Sequence, residues 1–131
     1  MAYLKVYEWE HTTWPDFQMV KIDRTRQYAL NKKLARHFKV DEPRLVGSHQ
    51  RGANAMNRAS GASGKYHYAF PGMAVIKLGT ISTLGTLCHE FAHHLNYRRW
   101  KAKGHGRTFK RELKRVYTFA KRYLKIDPSL N

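Results

Sequence analysis

The sequence predicts an α+β fold in a single small domain. Three observations carry that expectation: helical apolar spacing in three separate segments, strand-like alternation between the first two of them, and a length of 131 residues, which suits one compact core. An apolar fraction of 42%, with three Trp, eight Tyr and six Phe, supplies the bulk for that core and argues against disorder of the whole chain. No internal repeat and no linker divides the sequence, so residues 1–131 are expected to form one domain.

Residues 3–22 alternate apolar and polar side chains in Tyr3-Leu4-Lys5-Val6-Tyr7 and Phe17-Gln18-Met19-Val20-Lys21-Ile22, with Pro15-Asp16 between them. The pattern predicts two short strands in an N-terminal extension. Asp23 is placed to cap a helix running to about Lys39, with Ala29 or Leu30, Leu34 and Phe38 on its inner face, and Asp41-Glu42-Pro43 ends it. Arg44 to Gln50 reads as a short strand. From Arg51 to Gly64 the chain turns to Gly, Ala, Asn and Ser, a composition that buries too little surface to order itself and predicts a mobile or functional loop. Lys65–Phe70 and Met73–Leu78, joined by Pro71-Gly72, are expected to pair as strands of a short antiparallel sheet. Ser82 or Thr83 opens a second helix through about Tyr97. A basic loop, residues 98–105, leads to a last helix from about Gly106 to Lys125, closed by Asp127-Pro128.

Within the second helix, His89 and His93 are four residues apart and stand about one turn apart on one face, where both imidazoles reach a single ion. Glu90 projects beside them, as a carboxylate must if it is to touch water at a metal without itself being a ligand. Leu84, Leu87, Cys88, Phe91 and Leu95 form an apolar stripe on the other side, while Gly85 and Ala92 leave the histidine side uncrowded. The helix is thus expected to be buried on one face and to carry a polar site on the other. A catalytic zinc site needs a third ligand. His105, flanked by Gly104 and Gly106 where the loop turns into the last helix, is the better candidate; His94 points roughly 100° away from His93 and is the weaker one.

Residues Leu87-Cys88-His89-Glu90-Phe91-Ala92-His93, followed by Gly104-His105-Gly106-Arg107-Thr108-Phe109, resemble the SprT-like metallopeptidase domain of bacterial SprT and the eukaryotic protease Spartan. The resemblance covers about residues 23–125 and leaves 1–22 as an extension. It implies a zincin-like domain: a leading helix, a short antiparallel sheet, the His-Glu helix and a closing helix. It implies one Zn2+ held by His89, His93 and His105, Glu90 as general base, and a buried aromatic at Phe109. Many relatives carry a cysteine-based zinc ribbon after this domain. Cys88 is the one cysteine here, so no four-thiolate ribbon and no intrachain disulfide can form, and the resemblance is to a minimal form.

The chain is strongly basic, with 25 Lys and Arg against nine Asp and Glu and a net charge of +16. Such a charge raises encounter rates with polyanions, nucleic acid first and an acidic membrane surface second. On the last helix, Phe109, Leu113, Val116, Tyr117, Ala120, Tyr123 and Leu124 share an apolar face. Lys110, Arg111, Lys114, Arg115, Lys121, Arg122 and Lys125 occupy the opposite arc, which carries no acid. Like charges at i,i+4 destabilise a helix, so a solubility face usually alternates sign; this one suits phosphate contact. Arg98, Arg99, Lys101, Lys103 and Arg107 extend the patch toward the histidines.

The expected function is zinc-dependent hydrolysis of peptide bonds by a water that Glu90 activates, on protein substrates associated with or crosslinked to DNA. The competing expectation is a non-catalytic nucleic-acid-binding module stabilised by zinc. Tyr66, His67, Tyr68, Tyr97 and Tyr117 are candidates for oxyanion stabilisation, with packing the plainer role for each. Trp9, Trp14 and Trp100 read as packing anchors, and Trp100 also as a stacking platform for a base. No apolar run approaches the roughly 18–20 residues that span a bilayer. The first residues do not read as a secretory signal, so a cytoplasmic location, or the nucleoid or nucleus through DNA association, is expected.

Overall fold

The computed structural model describes residues 8–10, 12–13, 20–47, 64–67, 74–79 and 81–126. Within these the chain is a small α+β domain. Strand β1 (Lys21–Ile22) pairs antiparallel with β5 (Ser82–Thr83), setting Ile22 opposite Ser82. Between them come helix α1 (Arg24–Phe38) and strands β2 (Arg44–Gly47), β3 (Gly64–His67) and β4 (Val75–Leu78). Helices α2 (Leu84–Trp100) and α3 (Arg107–Ile126) follow.

The helix boundaries follow from capping chemistry. The Asp23 carboxylate accepts from the Arg26 amide at 3.0 Å and opens α1, and Lys39, at φ 57°, closes it in the left-handed conformation. Thr83 Oγ1 accepts from the Thr86 amide at 3.1 Å and opens α2, which runs a turn beyond the expected end to Lys101 at φ 55°. The Gly106 carbonyl accepts from the Lys110 amide at 3.1 Å and opens α3.

The sheet differs from the expected antiparallel one. Its order is β2-β4-β3, with β3 antiparallel and β2 parallel to β4. The expected β3–β4 pair forms, with Tyr66 opposite Ile76, but β4 takes the centre. The composition of β4 explains this: Ile76 and Leu78 are fully buried, and the central position covers an apolar strand on both edges. Strand β2 runs in the same direction as β4, so it reaches that edge only in parallel register. Of the second expected strand, Lys21–Ile22 pairs and Val20 lies outside the ladder, while residues 17–19 are outside the described residues; residues 8–10, between the two expected strands, form a helical turn. Residues 3–7, most of the loop from Arg51 to Gly64, Pro71-Gly72 and Asp127-Pro128 lie outside the described residues.

Helix α2 is the axis of the fold, packed against α3, α1 and the sheet. The predicted inner residues Leu30, Leu34 and Phe38 of α1 and Phe109, Leu113, Val116, Tyr117, Ala120 and Tyr123 of α3 are buried, and the Leu124 side chain lies outside the described part of α3. Helix α2 is not the one-sided helix expected: Thr86 apart, every residue from Leu84 to Asn96 is buried, histidines and Glu90 included. Each fully buried Leu or Phe of this core contributes about 1.5–3 kcal/mol through surface removed from water. Some of the polar groups drawn inside bond across elements, while Asn31 Oδ1, His93 Nδ1, Asn96 Oδ1 and one Glu112 oxygen have no hydrogen-bond partner among the described residues. Asn31 donates to the Pro43 carbonyl at 2.8 Å, and Gln27 reaches the Ile22 and Gly79 carbonyls. No helix among the described residues is long and apolar enough to cross a membrane.

Candidate metal centre

His89 and His93 lie on successive turns of α2, and His105 comes back over them from the turn before α3. Gly104 makes that return possible: its φ of 87° is a conformation that side-chain-bearing residues rarely adopt. His89 Nε2 and His105 Nε2 stand 3.2 Å apart, and one ligand nitrogen from each of the three histidines lies within 4.8 Å of the others. The three lie close enough to hold one metal ion. The ring of Phe109, fully buried, packs 5.0 Å from His89, 4.4 Å from His93 and 4.8 Å from His105. One aromatic side chain thus serves as a floor for the whole triad.

The donor set suits a divalent ion. Neighbouring nitrogens around tetrahedral zinc, each at about 2.0–2.1 Å from the ion, are roughly 3.3 Å apart, close to the His89–His105 separation. Two imidazole lone pairs converging at such a distance repel each other unless a proton or a cation lies between them. Burial and then the charges of His89 and His105 push His93 down to about 3, so near neutral pH it is an uncharged donor. Burial, with the His89 charge, also lowers His105. Burial works against charge on His89 too, but a hydrogen bond and the charge of Glu10, with Glu90 adding, outweigh it and raise this histidine.

Glu10 is the member of the site that sequence patterns did not find. It is 3% exposed, its Oε2 lies 2.7 Å from His89 Nδ1, and its Oε1 accepts from the Tyr117 hydroxyl at 2.6 Å. Its 79-residue separation from His89 leaves no local spacing to detect; the one hint is a carboxylate in a chain with only nine. No family model, no curated protein and no solved structure matches the chain.

The remaining predicted residues divide clearly. Glu90 is 9% exposed, beside His89 in the chain and close enough for its charge to act on that ring. His94 is not part of the triad; it donates from Nε2 to the Asp41 carbonyl at 2.7 Å. Cys88 is fully buried in the core and is not among the three residues that converge; burial, reinforced by the Glu10 charge, raises its thiol well above the usual range. Tyr117 supports Glu10 from behind, and Tyr97 lies beneath the ammonium groups of Lys101 and Lys103 at 5.7 and 5.9 Å. Tyr66 and His67 lie in β3, and Tyr68 is outside the described residues.

The basic residues fall into two sets. Arg98 grips the Asp41 carboxylate with Nε at 2.7 Å and Nη2 at 3.2 Å, and Arg99 donates to the Phe38 carbonyl at 3.3 Å, so both tie α2 to the end of α1. Lys110 lies over Trp9 and Arg111 over Trp100, whose indole donates to the buried Glu112 at 2.8 Å. Lys101, Lys103, Arg107, Lys114, Arg115, Lys121 and Arg122 are exposed, Arg115 with its guanidinium 3.7 Å from Glu112. The Lys125 side chain falls outside the described part of α3. Helix α1 adds exposed Lys32, Lys33, Arg36 and Lys39, which sequence patterns had left unassigned.

Proposed function

We propose that the chain is a zinc-dependent peptidase of the SprT-like kind, acting on proteins held on nucleic acid. The observation that carries this reading is the convergence of His89, His93 and His105 on one point, with Glu90 next to His89 on the same helix. A zinc ion in that triad would supply Lewis acidity toward water and toward a scissile carbonyl. His89, His93 and His105 would hold it, each through one neutral imidazole nitrogen. Glu90 takes the proton of the attacking water and returns it to the departing amine. Among the described residues β3 has β4 as its one strand partner, and α2 packs against it.

A second reading, a nucleic-acid-binding module in which zinc only stabilises the fold, draws on the exposed Lys and Arg of α1 and α3. One preparation separates the two. Zinc content is measured in wild type and His105→Ala, and cleavage of a basic protein is followed free and bound to single-stranded DNA. The peptidase reading expects one zinc per chain, lost in His105→Ala, and faster cleavage of the bound protein. Salt-sensitive DNA binding without cleavage in either form would favour the module.

A further inference from the structure

Glu10 stands outside the stretch that carries the metal-site motifs, yet it is the most fully enclosed carboxylate near the triad. Its two oxygens are divided between two helices. Oε2 faces Nδ1 of His89 on α2 at 2.7 Å, and Oε1 accepts from the Tyr117 hydroxyl on α3 at 2.6 Å. Its neighbour Trp9 packs against the core, with the Lys110 ammonium over its ring at 5.5 Å. The helical turn at residues 8–10 is therefore seated on the domain by one buried carboxylate and one aromatic ring.

The structure assigns Glu10 as the positioning residue of the metal centre, a strap by which the N-terminal segment and metal occupancy stabilise each other. With Glu10 ionised, Nδ1 of His89 carries the hydrogen and donates, which places the lone pair on Nε2, the atom that faces His105. The carboxylate also makes the imidazole a stronger donor and holds its plane. In return, a cation on the far side of the ring compensates a charge that is costly to bury at 3% exposure. Linkage makes the two effects equal: whatever factor the docked segment adds to metal affinity, the metal adds to docking. Second-layer carboxylates of this kind are typically worth about 10–100-fold in metal affinity.

The inference rests on the triad holding a metal, and not on peptide hydrolysis. The test uses the full chain with Co(II) as probe: affinity by chelator competition, the visible spectrum, and hydrogen exchange of the peptide containing residues 8–13 with and without the ion. Glu10→Gln, which keeps an acceptor but drops the charge, should weaken binding about tenfold, and Glu10→Ala up to about a hundredfold with an altered spectrum. In wild type the ion should slow exchange of the N-terminal peptide, and in Glu10→Ala it should not. A merely structural role would lower the melting temperature of the metal-free variants while leaving affinity and spectrum unchanged, and that result overturns the assignment. If the Glu10 variants do not fold, Tyr117→Phe decides, since it removes one hydroxyl and keeps the ring. A severalfold loss of affinity supports the strap, and wild-type affinity overturns it. A wild-type chain that binds no Co(II) overturns the triad and the strap together, whereas binding that ignores both Glu10 and Tyr117 overturns the strap alone.

Discussion

Phe109 lies with its ring 4.4 Å from that of His93, tilted 34°, and closer to it than to either of the other two histidines. His93 lacks a carboxylate support like that of His89: its Nδ1 has no hydrogen-bond partner among the described residues. Packing on Phe109 is therefore what orients it. Phe109→Leu should retain most of the stability and yet weaken zinc binding, while Phe109→Ala should also cost about 3–5 kcal/mol in urea unfolding. Unchanged zinc affinity in Phe109→Leu would remove the ring from the account of the site.

The Asp41–Arg98 pair makes a prediction about stability alone. The Arg98 side chain is 8% exposed and Asp41 is 22% exposed, and His94 bonds to the same residue through its carbonyl. Asp41→Ala strands a largely buried guanidinium and should cost up to about 3 kcal/mol, reduced by screening at the Asp41 side. Lys121→Ala, on the exposed arc, should change stability by less than about 0.5 kcal/mol. Equal effects of the two in denaturant titrations would contradict the division of the basic residues drawn above.

Under the proposed function, that same division predicts how nucleic acid would bind. Phosphate contacts appear as a slope of affinity against salt, and each one removed lowers the slope by about one. Lys114→Ala and Lys121→Ala should each reduce the slope for single-stranded DNA without changing its sequence preference. Binding at low salt that both substitutions leave untouched would place the contact elsewhere.

Acidification should destabilise the metal-free protein. His93 is held at about 3 against an ordinary 6.5, and His94 and His105 are also lowered, each chiefly by burial. The unfolded chain takes up these protons first, so the stability they contribute is complete above about pH 6.5 and is lost as pH falls from there toward the folded values. His89, raised by Glu10 against its burial, acts in the opposite sense, with its contribution present below 6.5 and lost as pH rises through its folded value. Among the described histidines four are lowered, His37 with them through burial and the charges of Arg122 and Arg115, against one raised, so the melting temperature in chelator should fall between pH 7 and pH 5. With saturating zinc the fall should be steeper, because protons also compete for the ligands. A flat or rising profile in chelator would contradict the burial of these histidines.

Local chemistry was legible in the sequence, and distant pairing was not. Asp23 and Thr83 act as the caps expected of them, and Gly104 turns as its neighbour His105 required, because each of these depends on residues within a few positions. The apolar stripes of α1 and α3 were readable for the same reason. The parallel β2–β4 pairing depends on which strand takes the centre, a competition between segments that no single segment records. Glu10 meets His89 across 79 residues and Tyr117 across 107, and Asp41 meets Arg98 across 57. Those contacts come from packing, and α2 is buried nearly all round for that reason also, with polar residues inside it that a one-sided helix would have left in water.

The most direct test of the central claim compares wild type with Glu90→Gln at matched zinc content on the same DNA-bound protein substrate. If Glu90 is the general base, both should hold one zinc per chain and melt at similar temperatures, with cleavage by the variant reduced at least about a hundredfold. Equal cleavage by the two proteins would contradict it.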